Sequence, residues 1–170
     1  MFSPTHFGTG LLLGALGPAF FNFWALLAGS VAMDFENIFW VAINKITGCP
    51  NCFHHGFFHS ILGAALGSII LSFILKFFRQ PLEKISLKFK IKQFFSFKTL
   101  FLSSFLAWLA HIGFDSLVHR DVFLFWPIKI NPFLISWKLY WPLSYLLSGI
   151  GVIALIILWF RITKQNRKNS

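Results

Sequence analysis

Five long apolar runs, separated by short polar breaks, set the pattern of the chain. The first covers about residues 6–17 and the second about 19–33, and they meet at Gly17-Pro18, a pair that favours a turn. At about 12 and 15 residues, both fall short of the ~20 needed to cross a bilayer at 1.5 Å rise per residue. They suit a short hairpin dipping into the membrane, or lengthening at their ends. The third run covers about 57–78, the fourth about 99–118 and the fifth about 141–160. Runs of this length predict an all-α fold, a multi-pass helical bundle forming one integral membrane domain over residues 1–170. No internal repeat interrupts it.

Between the third and fourth runs, the linker 76–98 contains Pro81 and the alternating stretch "ISLKFKIK" (85–92). As an extended segment it would place Lys88, Lys90 and Lys92 on one face and Ile85, Leu87, Phe89 and Ile91 on the other. A lone strand has no ladder partner, so a segment lying at the interface on anionic lipid is expected. Composition supports the membrane reading. Of 170 residues, 56% are hydrophobic, 24 are Phe and only 12% are charged, too much apolar surface for a soluble domain this size to hide. The net charge of +10 would suggest nucleic acid in a soluble protein, but its distribution does not. Seven of the 15 Lys and Arg lie in 76–98 and four in the tail, 161–170. Basic clusters beside apolar spans mark the cytoplasmic side and touch anionic lipid. With both clusters inside, the N-terminus lies outside, and no nucleic-acid partner is expected. No basic region precedes the first run and no small-residue cleavage site follows it, so the first segment is expected to stay, in the cytoplasmic (inner) membrane.

This topology sorts the polar chemistry. Among the histidines and acids, only Glu83 lies in the basic linker. His6 opens the first run, and Asp34 and Glu36 close the second. His54, His55 and His59 open the third, and His111, Asp115, His119 and Asp121 close the fourth. All ten converge on the non-cytoplasmic end. In "HIGFD", His111 and Asp115 are four apart and share one helix face, able to chelate a divalent cation or simply to hydrogen-bond at a helix end. His119 extends the stripe if the helix persists. Asp34 and Glu36 in "MDFEN" are two apart, so an extended exit aims one of them inward, unless both are merely solvated at the boundary. An ionisable group costs ~2.5–3.5 kcal/mol at the bilayer centre and is by default a functional hypothesis. In "HHGFFHS", His55 and His59 are four apart and His54 points elsewhere. Cys49 and Cys52 in "CPNC" fit half a zinc knuckle, a redox pair or a small disulfide, and the second ligand pair of a zinc site has no usual spacing here.

In order along the chain stand Thr5-His6, Gly29-Ser30-Val31-Ala32-Met33-Asp34-Phe35-Glu36 and His54-His55-Gly56-Phe57-Phe58-His59-Ser60. His111 with Asp115 and then Trp126-Pro127-Ile128 follow. The series resembles the YdjM-like, LexA-regulated group of membrane-bound predicted metal-dependent hydrolases. That family's pattern is Thr-His, Gly-…-Pro-Asp-x-Asp, His-Arg-Gly-x-Thr-His-Ser, His-x3-Asp and a Trp-Pro-Phe-like end. The resemblance covers about 1–128 and leaves the last run as an anchor. Met33 stands where the family has Pro, Glu36 where it has Asp, and His55 where it has Arg. Phe58 and Val118 each replace a Thr. Metal-ligand types survive, while a phosphate-binding Arg is absent or replaced by His55 or Arg120.

The family is distantly similar to the superfamily of zinc-dependent phospholipases C and single-strand-specific nucleases. That similarity implies His6, Asp34, His59, His111 and Asp115 as ligands of a two-metal site. Asp34, His59 and His111 would hold one ion, and Asp115 would bridge to a second at His6. Glu36, His54, His55, Ser60, His119 and Asp121 would be further ligands or supporting groups. Imidazole and carboxylate together suit Zn²⁺ first, one or two ions, with Mn²⁺ or Fe²⁺ also fitting. A bound dication lowers the pKa of water from 15.7 to roughly 7. Hydrolysis of a phosphoester in a lipid or lipid-linked substrate is therefore expected, with Asp34 or Glu36 as general base. The rivals are a non-enzymatic metal- or proton-handling membrane protein, and a structural membrane protein with solvated histidines.

Overall fold

Gly17-Pro18 ends the first apolar run after a helix of only 10 residues, α1 (Phe7–Leu16). In a computed structural model that describes residues 1–48, 55–89, 91 and 93–168, most of the described residues are helical and none is in a strand. The all-α expectation agrees with that. The Asn22 side chain accepts from Ala25 N–H and starts α2 (Phe23–Gly29). Four residues after Ser30 the chain re-enters helix as α3 (Asp34–Thr47), which stops at Gly48, φ 70°. Asp34 and Glu36 do not close a segment; they form the first turn of a new helix. Carboxylates at a helix N-terminus meet its partial positive charge, which stabilises by ~0.3–1 kcal/mol each.

The Ser60 hydroxyl accepts from Gly63 N–H and caps α4 (Ile61–Phe77). The chain bends by 74° at Phe78 into α5 (Arg79–Lys88). Pro81 falls in the first turn of α5, where its missing N–H is not needed. The expected extended register of 85–92 is therefore not adopted: 85–88 are helical, and Lys90 and Lys92 lie outside the described residues. A helix satisfies its own backbone at an interface where a lone strand cannot. Next come α6 (Phe97–Ser116) and α7 (Tyr140–Lys168).

Three stretches are long and apolar enough to cross a membrane: Phe23–Thr47, Phe97–Ser116 and Trp137–Lys164. The bent α4–α5 pair makes a fourth. This is fewer than the five expected. At 1.5 Å per residue α1 reaches only ~15 Å, and the second run joins α3 to form one 25-residue stretch.

α1 packs on α7 and α2, while α6 packs between α2 and α4. Small residues permit these crossings, as membrane bundles require. A β-carbon on Gly8 would strike the Leu147 carbonyl, and one on Gly29 would lie 2.6 Å from Ser104 O. Phe73, Leu155 and Trp159 point outward, as lipid-facing positions should. Tying the far end together, Trp24 Nε1 donates to Ser86 Oγ at 2.8 Å. There a cavity of about 410 Å³ is lined by Ser86 and Phe89 beside Leu158, Trp159 and Ile162. The end of α5 and the C-terminal half of α7 thus share one end of the bundle. The starts of α1 and α4 and the end of α6 lie at the other.

Candidate metal centre

The starts of three helices and the end of a fourth bring the titratable groups together. α6 carries His111 and Asp115 one turn apart, and both are buried. The 3-10 turn Phe57–His59 brings in His59, fixed by Trp108 Nε1 donating to Phe58 O at 2.8 Å. The turn Ser3–His6 brings in His6, stacked on His111 at 3.6 Å between ring centroids. The first residue of α3 is Asp34.

Hydrogen-bond partners fix which nitrogen each ring presents. His111 Nδ1 lies 2.7 Å from the Ser30 carbonyl, which can only accept, so Nδ1 carries the proton. Its Nε2 faces Asp115 Oδ2 (3.1 Å) and Asp34 Oδ1 (3.4 Å). His59 Nδ1 lies 3.2 Å from Glu36 Oε2, leaving Nε2 3.8 Å from Asp34 Oδ1. His55 Nδ1 lies 3.0 Å from Asp121 Oδ1, leaving Nε2 3.8 Å from Asp115 Oδ2. A ring nitrogen facing a carboxylate needs either a proton or a metal ion between the two. Carboxylate or carbonyl behind the imidazole, donor nitrogen in front, is the arrangement that supports metal-binding histidines.

Orphaned atoms point the same way. His59 Nε2, Asp34 Oδ2 and both nitrogens of His6 are buried without a hydrogen-bond partner, although His6 Nε2 is 3.3 Å from Asp115 Oδ1. Asp34, His59, His111 and Asp115 each offer a donor atom within 4.8 Å of the others, so this buried group can hold a metal ion. His55, His119 and Asp121 meet the same criterion. The Met1 ammonium lies 2.5 Å from Asp115 Oδ1 and 2.7 Å from His119 Nε2. Burial first, then that ammonium and His55, push His119 down to about 4. Burial also lowers His55, against the pull of Asp121. A lowered pKa favours the neutral imidazole, the form that binds a metal.

The chain matches the family described as YdjM inner membrane protein over residues 1–169. It belongs to that family. No curated protein and no solved structure matches it. The match takes in the last helix as well as the motif-bearing part.

In this YdjM family member, other expected site residues have different surroundings. Glu36 Oε2 accepts from Phe58 N–H (3.0 Å) as well as from His59, so its carboxylate stands behind the ring and not among the lone pairs. Ser60 is occupied in capping α4, its own proton going to Phe57 O. α6 ends at Ser116, yet His119 N–H still reaches Asp115 O at 2.9 Å, so the extra turn exists as a tight exit. Arg120 is exposed. His54, Cys49 and Cys52 lie outside the described residues. Sequence reasoning missed Asn131, whose Nδ2 donates to Ser116 O (2.7 Å) and His119 O (2.8 Å) and holds that exit. A single Asn in a loop gives no signal of this kind.

Proposed function

We propose that this protein is a membrane-embedded, metal-dependent hydrolase of phosphoester bonds in a lipid or lipid-linked substrate. The metal would be held by Asp34, His59, His111 and Asp115. The observation that carries the reading is the set of imidazoles locked with Nε2 toward two buried carboxylates. When bound, a dication would supply Lewis acidity and a nucleophile at neutral pH; Zn²⁺ suits these donors, as do Mn²⁺ and Fe²⁺. Asp34 Oδ2 has no hydrogen-bond partner, and Asp34 lines a cavity of about 450 Å³ with Ser3, Phe35 and Ile38. On this reading Asp34 is the general base that takes the proton from the attacking water. Glu36, behind His59, is a positioning residue. On its other side Glu36 borders a larger cavity of about 640 Å³, walled by Phe39, Phe58, Ile70 and Trp108, which suits a hydrocarbon chain.

A proton or metal relay needs ionisable groups through the whole span. The buried polar groups nearer the other end include Ser68, Ser72, Ser103 and Ser104, which do not titrate. The test is phosphate or headgroup release from phosphatidic acid and phosphatidylglycerol vesicles by protein purified in detergent. Chelation should abolish release and Zn²⁺ or Mn²⁺ restore it. Asp34→Asn should lower turnover by about 10²–10⁴. Turnover indifferent to chelator overturns the proposal.

A further inference from the structure

We infer that the cavity between α2, α5 and the C-terminal half of α7 binds one anionic phospholipid of the adjoining leaflet, its acyl chain in the cavity and its phosphate at Lys88 and Arg161. The site is independent of the metal group, which lies at the other end of the bundle. Its volume, about 410 Å³, falls within the ~300–1,000 Å³ of small-ligand pockets. On α7 the wall is Leu155, Leu158, Trp159 and Ile162, spaced i, i+3, i+4 and i+7, one continuous apolar face. Ser86 of α5 and Phe89, just after it, stand opposite. Ser86 adds no free polar group: its Oγ donates to Leu82 O and accepts from Trp24 Nε1, both at 2.8 Å. Phe89, Leu155 and Trp159 are exposed, so the cavity opens toward lipid. An apolar space of this kind takes hydrocarbon and not a polar ligand.

Charge selects the headgroup. The 74° bend after α4 turns aside α5, with Arg79, Lys84 and Lys88, at the same end of the bundle as Arg161 and Lys164. Glu83 is the one acid in residues 37–114, and no Asp or Glu follows Asp121. Its carboxylate pairs with Arg79 at 3.2 Å, so the sequence supplies no other acidic side chain for the remaining four cations. Lys88 directly precedes Phe89, and Arg161 stands one turn beyond Leu158 at i+3. Both can lay an aliphatic stem on the apolar wall and hold the charged head at the rim. Basic pockets between membrane helices bind anionic headgroups in this way. A zwitterionic lipid would offset less of the charge, and a second copy of this chain would bring more of the same sign.

The test is native mass spectrometry of the delipidated full chain in detergent, with chelator present, titrated with dioleoyl phosphatidylglycerol or phosphatidylcholine. One phosphatidylglycerol should be retained per chain, about 10-fold or more tighter than phosphatidylcholine. Lys88→Gln with Arg161→Gln should weaken phosphatidylglycerol by about 10–50-fold and leave phosphatidylcholine unchanged. Leu155→Trp fills the cavity from its lipid-facing side and should remove the tight equivalent, while its melting temperature in lipid-free detergent stays at the wild-type value. Wild-type protein that retains the two lipids equally overturns the inference, and this result needs no folded variant. So does unchanged retention in the charge variant. Retention that survives Leu155→Trp would mean adsorption to a basic surface, and a chain dimer broken by Leu155→Trp would give the cavity to a second copy; either result overturns it too.

Discussion

Glu36 and Asn131 both act on the cluster through other groups, and both can be tested by removal. Without Glu36, His59 loses the acceptor that fixes its tautomer and Phe58 N–H loses its partner. Glu36→Ala should weaken affinity for the metal ion by about 10–100-fold in a competition titration against a chromophoric chelator, with Glu36→Gln intermediate. Unchanged affinity would remove Glu36 from the positioning role. Asn131→Ala leaves the Ser116 and His119 carbonyls short of a donor and should lower stability by about 1–3 kcal/mol. Asn131→Asp, which keeps the acceptor for Phe133 N–H but lacks the donor, should lose as much, and thermal melting in detergent measures both. At this scale the sequence is legible where chemistry follows helical spacing. His111 and Asp115 face one way because they are four apart. The partners behind the rings, the Ser30 carbonyl and Asp121, depend on how distant segments approach, and no local spacing encodes that.

Helices carry the second kind of information, and here two charged motifs misled. Acids after an apolar run ordinarily mark the membrane boundary, so "MDFEN" reads as an end; the structure makes it the first turn of α3 because Asp34 and Glu36 suit a helix N-terminus. The alternation in "ISLKFKIK" reads as extended, but no neighbouring strand exists among the described residues, and helix satisfies the backbone at least through Lys88. The α2–α6 crossing gives a test at this scale. α2 ends at Gly29, against the Ser104 backbone, one residue before the carbonyl that fixes His111. Gly29→Val should therefore cost about 1–3 kcal/mol through overpacking and also weaken the metal site. Gly113→Val, on α6 with open space around its Cβ position, should spare that crossing. If both variants bind metal like wild type, the crossing does not set the geometry of His111.

Across the whole molecule, the separation of basic and metal-binding ends makes a topology prediction. His111 sits 14 residues into α6, ~21 Å from its start at 1.5 Å per residue, which puts the cluster well away from the end shared by α5 and the C-terminal half of α7. Arg79, Lys84 and Lys88 lie on α5 and Arg161 and Lys164 on that half of α7, and the shared cavity between Phe89 and Trp159 joins them. The two clusters are far apart in the chain but lie at one end of the fold. The packing thus requires them to be on the same side of any bilayer the bundle crosses. Positively charged flanks are retained in the cytoplasm, so the His and Asp groups should face the other way. In a background with Cys49→Ser and Cys52→Ser, Lys129→Cys, exposed in the loop after α6, should react with a membrane-impermeant maleimide in intact spheroplasts. Lys84→Cys, exposed on α5, should react only after lysis. The reverse labelling would place the metal cluster on the cytoplasmic face. Any lipid substrate of the proposed hydrolase would then have to come from the inner leaflet, and the basic residues would have been held outside against the usual charge rule.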